Sequence, residues 1–265
     1  MLLNSPARRE TRFRQMAVRL ARLADVDVTP SQTATGRIIT VAVQPPLTAA
    51  HVSPPPQQLQ NYVRPWWTTL QRVGLPGTLL HSGWTREQIA AIETGRITAV
   101  AVSPGARHIF HERHFLVRDY LHSIDDPYVF VTDGSDVAFK RDPFDLVRQA
   151  GNVRRLFIGR EKHRILFCKC VRREMRRQFG RVWFPLRPVL NPGILGGRRE
   201  TVIEALDAIC ELIDSLGEQV VASDMCIVNR GIHSAFTPSE LMTGLPLHSQ
   251  FKSWDFDTPA AILHK

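Results

Sequence analysis

The chain predicts an α/β fold: a single α/β/α sandwich built on a mostly parallel central sheet. Three observations lead there. Short β-branched or apolar runs recur along the chain, among them 37–43, 97–102 and 128–132. Stretches with helical spacing separate these runs through at least the first 160 residues, as βαβ units require. Hydrophobic residues make up 43% of the 265, enough for a substantial core and too many for a disordered chain.

Taken in order, residues 7–24 read as a basic amphipathic helix with Phe13, Met16, Ala17, Leu20 and Leu23 on one stripe. Residues 1–36 are read as a basic N-terminal extension and 37–265 as the folded domain. Arg37–Val43 is a strand by its β-branching. The prolines at 45, 46, 54, 55 and 56 then impose an irregular connection. A helical pattern covers 57–73, with Pro65 near its start or at a kink. Gly77–His81 is a short strand, and Thr85 supplies an N-cap for the next helix. Ile97–Val102 is a strand, Gly105–His122 a helix, Tyr128–Thr132 a strand and Pro143–Ala150 a short helix. Arg155–Gly159 is a strand, Lys169–Phe179 a basic helix, and Arg199–Leu216 a long amphipathic helix with Val202, Leu206, Ile209, Ile213 and Leu216 on one stripe.

Composition narrows the function classes. No apolar run approaches the ~20 residues of a membrane span, and the first residues lack the basic-then-apolar pattern of a secretory leader. A cytoplasmic protein is expected. Cys168 and Cys170 lack the two-residue spacer of zinc knuckles, and Cys210 and Cys226 fall in apolar helical patterns, so reduced thiols are expected. The formal net charge is +9. It gathers in the N-terminal arginines and in a run from Arg160 to Arg181, where Arg172/Arg176 and Arg173/Arg177 form one positive strip. Such a strip is either a solvated helix face or a surface for an anionic partner. Neither a Gly-x-Gly-x-x-Gly after a strand nor a Walker-type phosphate loop is present.

The chemistry-bearing residues lie further along. Tyr128–Thr132 runs directly into Asp133-Gly134-Ser135-Asp136. A buried strand followed by acids at its carboxyl end is where open α/β sheets place ligands. Paired carboxylates suit a hard cation, Mn²⁺ or Mg²⁺, carrying a diphosphate. The plainer reading is an acid-capped Asp-Gly turn. Asn191-Pro-Gly193-Ile-Leu-Gly196-Gly197 follows, glycine-rich enough for close backbone approach to a ligand or simply an irregular turn. Ser223-Asp224 opens a later segment, Asp224 being either a helix cap or a catalytic acid. The chain closes on Ala-Ile-Leu-His264-Lys265. His108, His111 and His114 recur every three residues, and a polar helix surface is the expectation for them. Trp66, Trp67 and Trp254 read as buried anchors or stacking platforms. Glu161 ends a strand, facing either the site or an arginine.

In this order and separation the motifs resemble the nucleotide-sugar glycosyltransferases of the GT-A fold, whose Asp-x-Asp motif is here the Asp-x-x-Asp variant Asp133/Asp136. The resemblance covers roughly residues 37–265 and leaves the N-terminus aside. It implies a Mn²⁺- or Mg²⁺-dependent, hexosyltransferase-like activity with a nucleoside-diphosphate sugar, UDP-linked, as donor. The acceptor would be a glycan, protein or small molecule, anionic if the Arg172–Arg177 strip contacts it. It further implies that Asp133, Asp136 and His264 hold the metal. Asp133, Gly134, Ser135, Gly193, Gly196, Gly197 and Lys265 would contact the nucleotide sugar, while Asp224 and Asn191 face the reacting centre. The Glu112-Arg113 pair is expected near the nucleotide. Two readings remain beside it: a metal-dependent nucleotidyltransferase or phosphodiesterase using the same acids, and a non-catalytic nucleic-acid-binding protein using the Arg-rich segments. Nucleic acid is not the partner that the resemblance implies.

Overall fold

The computed structural model describes residues 18–19, 21–32, 35–43, 59–217, 220, 223–250 and 255–264. Trp254, Lys265 and most of the expected N-terminal helix lie outside them; 21–24 are helical. The elements are β1 (Gly36–Val43), α1 (Leu59–Val73), β2 (Gly77–Ser82), α2 (Arg86–Ala90), β3 (Ile97–Ala101), α3 (Ile109–His122), β4 (Tyr128–Thr132), β5 (Val137–Phe139), α4 (Phe144–Ala150), β6 (Leu156–Arg164), α5 (Lys169–Phe179), β7 (Pro188–Arg198), α6 (Arg199–Leu216), α7 (Met225–Ala235), β8 (Leu241–Met242) and β9 (Ile262–His264).

Seven strands form one sheet in the order β3-β2-β1-β4-β7-β6-β8, and β5 pairs with β9 in a separate ribbon. The pairs among β3, β2, β1 and β4, and the pair β6–β8, are parallel. Only β7 runs the other way, between β4 and β6. The coarse expectation of an α/β protein on a mostly parallel sheet therefore holds. From β1 the chain adds β2 and β3 on one side, then crosses to add β4 on the other. The reversal leaves a crevice outside the carboxyl ends of β1 and β4, where such sheets bind ligands.

Period-two alternation divides the core. Ile39, Leu80 and Val129 face the layer of α3, α5, α6 and α7. Their neighbours Ile38, Leu79 and Phe130 face Trp66 and Leu70 of α1 and Phe144 of α4. A third cluster joins Leu23 and Val26 to Ala138 and Leu263 of the ribbon. Together with the hydrogen bond from the Thr29 N–H to the Lys140 carbonyl (2.7 Å), it ties the stretch before β1 to the domain. No helix among the described residues is long and apolar enough to cross a membrane.

The largest departure from the sequence reading is β7. Residues 190–197, expected as a turn, form a central strand. Proline and glycine argue against such a strand, but here the missing side chains make room for neighbours. A Cβ on Gly196 would overlap the ring of Phe130, and one on Gly197, at φ 148°, would lie 2.6 Å from the Arg155 carbonyl oxygen. Phe130 then meets Phe157 edge-on at 6.2 Å. The glycine-rich motif is therefore partly a packing device.

Gly196→Ala should destabilise the fold by about 1–3 kcal/mol through overpacking, read by urea denaturation. In a Phe130→Leu background the same substitution should cost clearly less. An equal cost in both backgrounds would remove Phe130 as the cause.

Candidate functional site

The site is assembled at the carboxyl end of β4. Asp133 is the first residue past the strand, and its N–H donates to the Gly193 carbonyl at 3.0 Å. Beside it the Thr40 hydroxyl of β1 donates to the Thr132 carbonyl at 2.9 Å. A Cβ on Gly134 would lie 2.9 Å from that hydroxyl oxygen, so the turn can press against β1 only as glycine. Three residues on, at Val137, β5 begins. Its antiparallel partner β9 sets Val137 opposite His264, which carries the imidazole to the Asp-x-x-Asp turn. His264 Nε2 lies 3.4 Å from Asp133 Oδ2 and 3.6 Å from Asp136 Oδ1. One ligand atom from each of the three residues falls within 4.8 Å of the others.

A second line of charge runs from Asp133. Arg113 of α3 donates through Nη1 to Asp133 Oδ1 at 2.7 Å and through Nη2 to Asp224 Oδ2. Asp224 occupies the N-cap position of α7 yet makes no capping bond; its carboxylate is turned to Arg113. The plain reading of Asp224 as a helix cap is thereby corrected. On the other wall, Asn191 Oδ1 accepts from the Gly193 N–H at 2.9 Å, while its Nδ2 donates to Glu161 Oε1 at 2.9 Å. The register of β6 on β7 jumps between Ile158/Leu195 and Gly159/Asn191. Pro192, Gly193 and Ile194 therefore bulge toward the cluster. A Cβ on Gly193 would lie 2.5 Å from Asp133 Oδ2 and clash with the His264 ring, so only glycine leaves the space among these groups open.

Asp133, Gly134, Ser135, Asp136, Gly193, Asn191, Asp224 and His264 thus gather around one crevice. Gly196 and Gly197 do not: they pair with Phe130 and Val129, deeper in the sheet, and protein atoms make the close approach expected of a ligand. Lys265 lies outside the described residues. His111 and His114, expected on a polar surface, are 1% and 5% exposed instead. His111 pairs with the Ser223 carbonyl at 3.3 Å, and His108 accepts from the Phe110 N–H as the N-cap of α3. Of the Glu112-Arg113 pair only Arg113 reaches the site; Glu112 accepts from the Gly105 N–H. Trp66 is a core residue, fully buried. The sequence reading missed Tyr62, whose phenol lies within electrostatic reach of Ser135, Asp133 and Asp136. On α1 it is one polar-face residue among several, and nothing in the sequence singles it out.

The electrostatics separate the carboxylates. Burial disfavours a charged Asp133, but Arg113 and His264 outweigh it and hold the carboxyl well below the usual range. Burial dominates at Asp224 and raises it, against the pull of Arg113. His264 is pushed up to about 9: burial opposes its charge, and the adjacent carboxylates of Asp133 and Asp136 prevail. Two carboxylates pushed apart in this way can take different tasks. Two acids and an imidazole around a space that glycine keeps open are donors fit for a divalent cation, which would take the place of the proton that the two carboxylates hold on His264. No protein-family model matches this chain, and no curated protein does.

His248 braces the strand that carries His264, bridging to Ile262. Its Nε2 accepts from the N–H groups of Gly244 (2.9 Å) and Arg160 (3.1 Å), and its Nδ1–H donates to the Ser249 carbonyl (2.7 Å). A proton on Nε2 would confront two donors. Burial first, then nearby positive charge, lowers this histidine to about 4, with the Ser249 carbonyl opposing. A lowered histidine stabilises the fold above its unfolded value near 6.5 and loses that contribution as pH falls toward 4. Between pH 7 and 5 the loss should be about 2 kcal/mol. Urea unfolding of His248→Gln should show a pH dependence shallower by that amount. Parallel curves for the two proteins would exclude His248 as the titrating group.

Proposed function

We propose that the chain is a metal-dependent glycosyltransferase that moves a sugar, hexose by resemblance, from a nucleoside diphosphate, UDP by resemblance, to an acceptor hydroxyl. One observation carries the reading. Asp133 and Asp136 share the turn after β4 and His264 arrives on β9, far along the chain, yet their ligand atoms converge at the crevice where the sheet order reverses. Gly193, which any side chain would fill, supports it further.

Asp136 and His264 would hold the ion, with Asp133 shared between it and the donor's ribose. A bound Mn²⁺ or Mg²⁺ supplies Lewis-acid stabilisation of the leaving diphosphate. The protein's own groups account for the rest. Arg113 fixes Asp133 and Asp224 to one rigid guanidinium, so the donor-binding and reacting sides keep their spacing. In transfer the bond from the anomeric carbon to the diphosphate oxygen breaks and a bond to the acceptor oxygen forms, releasing the hydroxyl proton. Asp224, partly buried, is suited to stabilise positive charge on the sugar or to take that proton. Asn191, oriented by Glu161 and by the Gly193 N–H, can hydrogen-bond a sugar hydroxyl.

Nucleotidyl transfer or phosphodiester cleavage would use the same acids. Two-ion versions of that chemistry need a second set of ligands, and among the described residues only one three-residue group could hold an ion. The nucleic-acid reading needs neither acid.

Thermal melting with UDP-, GDP- and CMP-sugars, with and without Mn²⁺, tests the proposal. At a hundred times the dissociation constant the donor should raise the melting temperature by about 5–10 °C, for the UDP-sugar and only with the ion. Asp136→Asn should abolish the shift without unfolding the chain. A mutant that binds UDP and Mn²⁺ as the parent does would refute the assignment. Asp224→Asn should keep donor affinity and lose turnover by roughly 10²-fold or more. Near-normal turnover would place the reacting carboxylate elsewhere.

A further inference from the structure

Residues 160–187 carry ten of the chain's 34 lysines and arginines and only two glutamates. Both glutamates are engaged: Glu161 accepts from Asn191, and Glu174 accepts from Ser223 at 2.7 Å and Cys170 at 3.0 Å. Elsewhere half-buried arginines such as Arg37, Arg113 and Arg155 pair with acids. Not one of these ten cations forms an ion pair with a described residue. No acid among the described residues therefore neutralises this positive surface.

Two large apolar side chains stand in the middle of it. Phe167 is 66% exposed and Leu186 64%. They lie on two segments laced together: the Leu166 N–H donates to the Pro185 carbonyl (2.9 Å) and the Ile165 N–H to the Arg187 carbonyl (3.0 Å). Guanidiniums are anchored beside both. Arg172 donates to the Leu166 carbonyl and Arg164 to the Leu186 carbonyl. The turn that presents Leu186 is strained: Phe184, at φ 51°, is the only non-glycine among the described residues with a positive φ. Folding thus spends conformational energy here to hold an apolar residue outward among cations.

We infer that this surface docks on an anionic phospholipid bilayer, the cations meeting lipid phosphates while Phe167 and Leu186 enter the interface. Each basic residue near an anionic membrane adds attraction, and a few apolar side chains convert it into insertion. A polynucleotide would use the charge but gain little from an aliphatic leucine, since it binds through phosphate contacts and stacking on aromatic faces. The nearby Trp183 already carries the guanidiniums of Arg181 and Arg230, at 4.0 and 3.9 Å. Docking of this kind needs no catalytic event and stands apart from the glycosyltransferase reading.

Co-sedimentation of the full chain with vesicles tests the inference, using phosphatidylcholine alone against phosphatidylcholine with phosphatidylglycerol. Binding should require the anionic lipid and weaken as salt rises. Phe167→Ala with Leu186→Ala should lower vesicle affinity about tenfold while leaving single-stranded DNA or heparin binding unchanged. Replacing Arg172, Arg173, Arg176 and Arg177 by Gln should lower it by more than tenfold and flatten the salt dependence. These are exposed or half-exposed positions, and circular dichroism checks that the fold is kept. No binding to anionic vesicles, or equal binding by the Phe167/Leu186 variant, would overturn the inference. So would tight DNA or heparin binding by a protein that ignores vesicles.

Discussion

A chain of alternating charges holds the crevice together: Asp224, Arg113, Asp133, His264 and Asp136. The five members come from four separate places in the fold. Asp224 stands at the start of α7, Arg113 on α3, Asp133 and Asp136 after β4, and His264 on β9. Removing one partner from such a partly buried set leaves its neighbour uncompensated, which costs far more than an exposed pair is worth. The sheet brings these elements to one edge, and the charges fix their side chains there. An α/β layer supplies rigidity, whereas the few groups at its strand ends supply chemistry.

Glycine serves that arrangement in two ways. At 196 and 197 the missing Cβ admits the Phe130 ring and the Arg155 carbonyl, so an antiparallel strand can run through the centre of a parallel sheet. At 193 the same absence leaves space between Asp133 and His264. One short motif thus packs the core at one end and shapes the crevice at the other. That is why the sequence alone could not apportion its glycines: composition records the missing side chain, and only the neighbours reveal what uses the room.

Much of the fold could be read in advance where local pattern and burial agree. Tyr128–Thr132, Lys169–Phe179 and Arg199–Leu216 have the boundaries expected from periodicity, because each has one clear apolar face or a fully buried run. The strand at 188–198 could not be read, since its proline and glycines suit a turn by any local rule and become a strand only when β4 and β6 flank it. The acids and the distant histidine were visible as residue types in order, and their convergence follows from β5–β9 pairing, a long-range contact that no window of sequence contains. Arg113 was marked by its neighbour Glu112 rather than by its own role, and His111 and His114 turned inward because α3 packs on α6 with that face. Tyr62 had no signal at all.

The three-residue pairing of β5 with β9 has a consequence for how the Asp133–Asp136–His264 cluster is lost. Short ribbons open locally at much smaller free-energy cost than a seven-stranded core. His264 hangs on that ribbon, while Asp133 is anchored to the main sheet through Gly193. A disturbance confined to 262–264, or to the Leu23–Val26 cover over Ala138 and Leu263, would dismantle the donor set and leave the bulk of the molecule folded. Damage would then surface as a protein of normal abundance and normal circular dichroism in which the cluster is no longer assembled. Amide exchange at 262–264, rather than the melting temperature, is the quantity that tracks how long the intact site survives.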